Sequence, residues 1–266
     1  MIAVILCAGF ATRMYPLTEN FPKPLLTVAG RPVLDYLMDQ IVALPRVQAI
    51  HIVSNAKFFD HFCRWHSARE ASGAMGAMTV QIHNDGARDN KNRLGAAADL
   101  RFALNTIDRP GRVLVAAGDN IFRFSLIPLW EKFLRSRHHH IVALPEANRK
   151  KLQGTGVLEL DKKDRVLRLH EKPKLPPSTW FCPPLYFFQS SLWSKIESFL
   201  QTPGNHDAPG HFIDYLCQQE PVDAFRLEAT RLDIGSVDSY QAADRLLQQN
   251  PVYSKSKTWS SEPGQR

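Results

Sequence analysis

Two cations stand close together near the start of the chain. Arg13 lies in the segment Cys7-Ala8-Gly9-Phe10-Ala11-Thr12-Arg13-Met14, and Lys23 lies between Pro22 and Pro24. The apolar run Met1–Leu6 leads into that segment, which is how a buried parallel strand delivers its C-terminal end to a ligand. Two cations and several accessible backbone N–H groups at one strand end suit a polyphosphate better than a neutral molecule. Singly, each cation reads as a solvated surface charge; clustered after a buried strand, they favour phosphate contacts. The glycine fingerprint of dinucleotide-binding folds and the P-loop pattern are both missing here, so a dinucleotide oxidoreductase fits poorly.

Acidic residues supply the other half of such chemistry. Gly118-Asp119-Asn120 follows an apolar run, Arg112–Ala117. A carboxylate at the C-terminal edge of a parallel sheet is a candidate Mg²⁺ ligand, although Asp119 or Asn120 could equally cap a turn. Far downstream, Arg231-Leu232-Asp233-Ile234-Gly235 presents a second acid, again a ligand candidate or a turn aspartate. His138-His139-His140 starts a predicted strand, so alternate side chains diverge and a structural or surface role is expected rather than a zinc site. Glu171 and Lys172 sit in His170-Glu171-Lys172-Pro173 after a short strand; such pairs on a surface contribute little.

The elements that must position these residues alternate. Strands are predicted at Met1–Leu6, Val47–Val53, Met78–Ile82, Arg112–Ala117 and Ile141–Leu144, with shorter ones at Gly156–Leu160, Val166–His170 and Leu185–Phe188. Helical spacing recurs after Pro32, which fits a first-turn position, and again from Leu94 to Ile107, from Ile127 to Leu134 and from Leu192 to Leu200. Phe212, Tyr215 and Leu216 suggest a further helix, bounded by the loop Asn205–Gly210, and Val237, Tyr240, Ala243 and Leu247 mark the last, ending near Pro251. This order predicts an α/β fold, a mixed, mainly parallel Rossmann-like sheet flanked by helices. No linker divides the halves, so residues 1–250 read as one domain. Residues 251–266 form a polar tail; Lys255–Arg266 offers little to pack and is expected to fray.

The chain has 266 residues and a formal net charge of +7. Its basic residues are scattered rather than striped, which argues against nucleic acid as a partner and leaves a basic pocket for small anions. No run approaches a membrane span, and the first strand leads into a polar turn rather than a cleavage site. The four cysteines show no metal spacing and read as free thiols in a reducing compartment, so a cytoplasmic protein without membrane contact is expected.

The segment LCAGFATRMYPLTENFPKPLLTVAGRP resembles the signature of the sugar-1-phosphate nucleotidylyltransferases, also called nucleotide-sugar pyrophosphorylases, including the glucose-1-phosphate thymidylyltransferases. That family shows L-x-x-G-x-G-T-R-L-x-P-L-T followed by P-K-P-L-L. Ala11 stands where the family has glycine, which narrows the loop and limits its backbone angles. The resemblance implies the nucleotide-diphospho-sugar transferase fold and extends to about Leu247. It places Ala8, Gly9, Ala11 and Thr12 along the nucleotide, Arg13 on the β- and γ-phosphates, and Lys23 at the α-phosphate. Asp119 and Asp233 would share one Mg²⁺. Gly156, Glu171, Lys172 and Tyr186 would form the acceptor pocket, Lys172 binding the attacking phosphate. Asn84 and Gly95 (in Leu94-Gly95-Ala96, like the family's L-G-T-A) would contact the base.

One family element departs. Pro184, in Cys182-Pro183-Pro184-Leu185-Tyr186, occupies the place of a glycine, removing a donor and adding bulk beside the acceptor. The expected reaction is metal-dependent in-line attack of a sugar 1-phosphate on a nucleoside triphosphate, releasing pyrophosphate. The alternatives are a cytidylyltransferase using a non-hexose phosphate or phosphonate, and a non-catalytic nucleotide-sugar-binding regulator. A homo-oligomer is compatible with the sequence.

Overall fold

Ile2–Leu6 is apolar throughout because it lies in the interior of a sheet with helices on both faces, where neither side of the strand meets water. The computed structural model describes residues 1–107 and 111–250. In chain order the strands are β1 (Ile2–Leu6), β2 (Thr27–Val28), β3 (Arg31–Pro32), β4 (Ala49–Ser54), β5 (Thr79–Asn84), β6 (Val113–Ala117), β7 (Asn120–Phe122), β8 (His139–Pro145), β9 (Gly156–Leu160), β10 (Val166–Glu171), β11 (Trp180–Cys182), β12 (Leu185–Phe188), β13 (Val222–Arg226) and β14 (Arg231–Asp233). The helices are α1 (Val33–Val42), α2 (Phe59–Ala71), α3 (Ala96–Leu104), α4 (Ile127–Arg135), α5 (Arg149–Leu152), α6 (Leu192–Leu200), α7 (Pro209–Gln219) and α8 (Val237–Gln249).

One sheet runs through both halves of the chain, in the order β10-β9-β11-β8-β12-β6-β1-β4-β5, with β13 added beside β8. Strands β6, β1, β4 and β5 are parallel, and β12 enters antiparallel between β6 and β8. The sheet is mixed, with its parallel ladders concentrated in β6, β1, β4 and β5, as an α/β fold of the expected kind requires. Alternation along β1 divides the core: Ala3 and Ile5 pack with Leu34, Phe62 and Trp130, whereas Ile2 and Val4 pack with Leu100, Ile196 and Phe212. A third cluster, including Met14, Val28, Ile121, Ile234 and Leu247, ties α8 to the first loop and to β7.

The connections after β1 and β6 leave from neighbouring strand ends, since Leu6 is the register partner of Ala117. β4 lies on one side of β1 and β6 on the other, so the crevice opens at the point where strand order reverses, the position at which open α/β sheets bind ligands.

Several local expectations need correction. Pro32 caps α1 and pairs with Thr27 in a two-stranded ribbon instead of occupying the first helical turn. The loop before α7 is shorter than expected, because Pro209 and Gly210 are already helical. α2 carries no clear apolar stripe, burying only Phe62, Trp65 and Arg69, and its periodicity did not reveal it. β7 and β14 are too short for a period-two pattern to register. The last helix ends at Gln249, just short of Pro251 as expected, and the tail 251–266 lies outside the described residues.

Candidate active site

The first loop is held by buried polar groups. Cys7 N–H donates to the Val53 carbonyl at 2.8 Å, and the buried Asn55 side chain donates to the Ala8 carbonyl at 2.9 Å. Gly9 is exposed, and a side chain there would meet no atom within 4 Å, so its backbone lies open to a flat ligand. Ala11 adopts φ 48°, ψ 39°, the left-handed region that favours glycine. Its carbonyl accepts from the buried Thr18 hydroxyl at 2.8 Å and from Met14 N–H at 2.9 Å. The methyl group is thus accommodated, in a conformation fixed by the turn Thr12–Met14. Thr12 and Arg13 are exposed, and Arg13 forms no ion pair among the described residues.

Lys23 points inward. It opens a short turn after Pro22, is only 8 % exposed, and places Nζ 2.6 Å from Oδ2 of Asp119. Asp119 follows Gly118, whose N–H donates to the Leu6 carbonyl at 3.1 Å, and its Oδ1 accepts from Asn120 at 2.7 Å. Asp119 thus sits in the turn between β6 and β7, its carboxylate held by Asn120 and Lys23. Burial pushes its carboxyl up, but the Lys23 ammonium and the Arg231 guanidinium outweigh this and hold it below the usual carboxylate range.

Asp233 arrives by an antiparallel ribbon. β14 pairs with β7 so that Asp233 lies opposite Asn120, the residue after Asp119. The two acids are thereby brought to one end of the crevice although widely separated in the chain. Arg231, on the same face of β14 as Asp233, reaches Asn120 Oδ1 and lies 3.3 Å from Asp233 Oδ1. Among the described residues no group of three or more His, Cys, Asp or Glu could hold a metal. A lone pair of carboxylates is a donor set suited to Mg²⁺, which uses one or two carboxylates and completes its shell with water and substrate phosphates.

The acceptor candidates meet through sheet register. Glu171 pairs with Gly156 across β10 and β9, and Gly156 pairs with Cys182 across β9 and β11. A Cβ on Gly156 would come within 3.0 Å of Leu169 Cδ2 and 3.4 Å of Glu171 Oε2. Burial raises the Glu171 pKa, with Lys172 and His211 pulling it back in part. Lys172 itself is exposed at φ 49°, with Nζ 3.9 Å from Glu171 Oε1. Tyr186 is buried on β12; burial pushes its phenol up, Cys182 and Glu171 add to this, and Arg231 opposes it. Pro184 accepts from Ala117 N–H at 3.0 Å, fixing the proline pair against the strand end that leads to Asp119.

Of the base-contact candidates, Asn84 ends its strand as expected, whereas Gly95 is covered. Asn84 is exposed at the end of β5, but its Oδ1 is engaged by Gly86 N–H at 2.9 Å, leaving only the amide donors free. Gly95, at φ +90°, faces the Asp207 backbone: a Cβ there would lie 2.8 Å from Asp207 Cα, and Ala96 N–H donates to the Asp207 carbonyl at 3.0 Å. Arg93 clasps the Asp207 carboxylate with bonds of 2.9 and 2.7 Å. The loop before α7 thus covers Gly95, because the close approach of Asp207 is what its missing side chain permits. The histidine run diverges as expected: His138 pairs with Asp223, His139 with Glu220, and His140 stacks on Phe225.

Sequence reasoning missed Arg231 and Asn55, whereas the loop Asn205–Gly210 reads as either a plain turn or a border of the acceptor pocket, and Gly210 lies against Glu171. The spacing of Arg231 to Asp233 on one strand was the available signal for the first. Nothing local marks Asn55, whose partner is remote.

A crevice at the switch point of a doubly flanked sheet, with a buried lysine on one acid and a second acid delivered by a ribbon, is the setting of a phosphoryl-transfer site. The nucleotidyl transferase family model matches residues 2–250, and the chain belongs to that family. The bifunctional protein GlmU of Methanocaldococcus jannaschii is 28% identical over 250 residues, covering 93% of this chain and 54% of that one. The UTP–glucose-1-phosphate uridylyltransferase AglF of Haloferax volcanii is 27% identical over 250 residues, covering 94% and 97%. The chain spans about half the length of the GlmU relatives that it matches. A Bacillus anthracis protein solved with sucrose, a candidate glucose-1-phosphate thymidylyltransferase, superposes with a TM-score of 0.80 at 19% identity over 96% of this chain and 98% of that one, a likeness of fold. The family expected from the opening segment is the family found. No helix among the described residues is long and apolar enough to cross a membrane.

Proposed function

We infer that this protein joins a nucleoside triphosphate to a sugar 1-phosphate, releasing pyrophosphate and a nucleotide sugar. The observation that carries this reading is the pairing of Lys23 with Asp119 at 2.6 Å beside the strand that brings in Asp233. The open backbone at Gly9 receives the nucleotide, and Arg13, on the exposed turn, takes the leaving pyrophosphate. Lys23 is the buried cation at the α-phosphate, where charge grows as the bond to pyrophosphate breaks. Asp119 and Asp233 would hold Mg²⁺, which supplies neutralisation of phosphate charge. Glu171, fixed between Gly156 and α7, accepts hydrogen bonds from acceptor hydroxyls, and Lys172 approaches the acceptor from the rim.

No side-chain nucleophile or general base is required. A phosphate monoester is already anionic near neutral pH, and the chain has only to align and shield it. The test is a pyrophosphate-release screen crossing the four common ribonucleoside triphosphates and dTTP with hexose 1-phosphates, phosphocholine and a phosphonate, with and without Mg²⁺. Release with a hexose 1-phosphate is expected. Release only with CTP and a non-hexose acceptor would replace the sugar, and nucleotide binding with no release under any pairing would replace the enzyme reading.

A further inference from the structure

Arg231 is not accounted for by any role above. It is a largely buried guanidinium, with its side chain 14% exposed, and it stands between two parts of the crevice. On one side Nη1 contacts Asn120 Oδ1 and Asp233 Oδ1, beside the carboxylate pair. On the other side Cζ lies 5.2 Å from the ring centroid of Phe181, which precedes Cys182 in the strand paired with Gly156. Both polar contacts use Nη1. Nε is buried and has no hydrogen-bond partner among the described residues.

A buried, unpaired N–H is costly and calls for an acceptor. The Nε/Nη2 edge of a guanidinium is a planar fork that meets two oxygens of one oxyanion with parallel bonds. In Arg231 this is the edge not used by the acids. The cation–π contact with Phe181 and the Nη1 bonds to Asn120 and Asp233 restrain the guanidinium, so little rotamer freedom is lost when an oxyanion arrives. Lys172, by contrast, is 63% exposed on a flexible stem and cannot fix an orientation as firmly. Lys23 and Arg231 are each set against an acid, Asp119 and Asp233, so these four charges cancel formally.

We propose that Arg231 is the residue that grips the acceptor's phosphate, presenting its Nε/Nη2 edge to two of that phosphate's oxygens while Nη1 stays on Asp233 and Asn120. The proposal rests on the reading of the site as a nucleotidyltransferase. It divides the cationic work: Lys23 serves the α-phosphate from the first-loop side, and Arg231 aligns the attacking phosphate from the side of β11. A single guanidinium then couples acceptor placement to the position of Asp233.

The test uses the full chain as wild type, R231M and R231K, with thermal melts to establish folding. Inorganic phosphate and glucose 1-phosphate are titrated calorimetrically, and UTP with Mg²⁺ is titrated separately. R231M is expected to weaken both phosphate probes roughly tenfold to a hundredfold, the range for hydrogen bonds to a charged group. R231K should recover only part of this, since a point charge lacks the fork. UTP affinity should change less than about threefold in either variant. Equal losses of UTP and phosphate affinity would show that Arg231 merely props Asp233 and Asn120, and would overturn the proposal. So would phosphate binding in R231M or, should R231M fail to fold, in R231K that matches wild type, or wild type that binds neither probe. Pyrophosphate release by wild type reports on the parent reading separately: release with an unchanged acceptor KM in R231K would overturn only the role of Arg231.

Discussion

Gly210 is the second residue of α7, and the space beside its Cα belongs to Glu171. A Cβ built there would lie 2.7 Å from Leu169 Cδ2 and still closer to Glu171 Oε2. Non-bonded atoms settle at roughly 3.5–4.0 Å, so G210A forces the carboxylate and the leucine to retreat by about 1 Å. Overpacking of this kind costs about 1–3 kcal/mol, and alanine returns up to about 1 kcal/mol through helix propensity. If the full return is realised, the net loss is roughly 0–2 kcal/mol, or up to about 8 °C in Tm for a chain of this size. The functional loss should be larger. A 1 Å displacement of a positioning group costs on the order of a hundredfold, and it should fall on the acceptor term. The assay is initial-rate pyrophosphate release with acceptor and nucleotide varied in turn. A folded G210A with acceptor KM within about twofold of wild type would refute the claim that Glu171 is pinned against α7 in the acceptor pocket.

The remaining predictions concern the first loop, the Asp119 carboxylate and two buried histidines. D119N should lose at least about a hundredfold in turnover and melt lower by a few degrees, because the Lys23 ammonium, 8 % exposed, loses its carboxylate; near-normal turnover would remove Asp119 from the reaction. A11G should stabilise the fold by about 0.5–1 kcal/mol, since relief of roughly 1–2 kcal/mol of left-handed strain exceeds the added unfolded-state entropy; a lower urea midpoint at unchanged m would contradict the positive φ. His51 and His140 are both held near about 4 chiefly by burial, so the folded state resists their protonation. With unfolded values near 6.5, their contribution is fully present above that pH and is lost as pH falls towards about 4, by about 3 kcal/mol each. Melting temperatures should therefore drop steeply below pH 6.5, and H140Q should remove part of that slope; an unchanged slope would mean that His140 is protonated in the fold.

The chain's own residues determined much of the reaction centre. The run from Met1 to Leu6 reads as an interior strand, and it is one, with the loop that carries Arg13 and Lys23 leaving from its C-terminal end. Apolar spacing located α1, α4, α6 and α8 for the same reason, since each buries one apolar stripe in the core. These are local signals, carried by periodicities of two and 3.6 residues.

Tertiary structure decided whatever depended on contacts between distant segments. Asp119 and Asp233 each read as a possible turn aspartate until the β7–β14 ribbon paired Asp233 with Asn120, the residue after Asp119. Gly95 read as an open base contact until Asp207 closed over it, and Gly210 read as a loop glycine until Glu171 filled its side-chain space. Arg231 acquired meaning only from Asn120, Asp233 and Phe181, which three separate strands deliver. A sequence records which groups are available and which local shapes they prefer; register and strand order choose the partners, because that choice is made by burial and hydrogen bonding summed over the whole sheet.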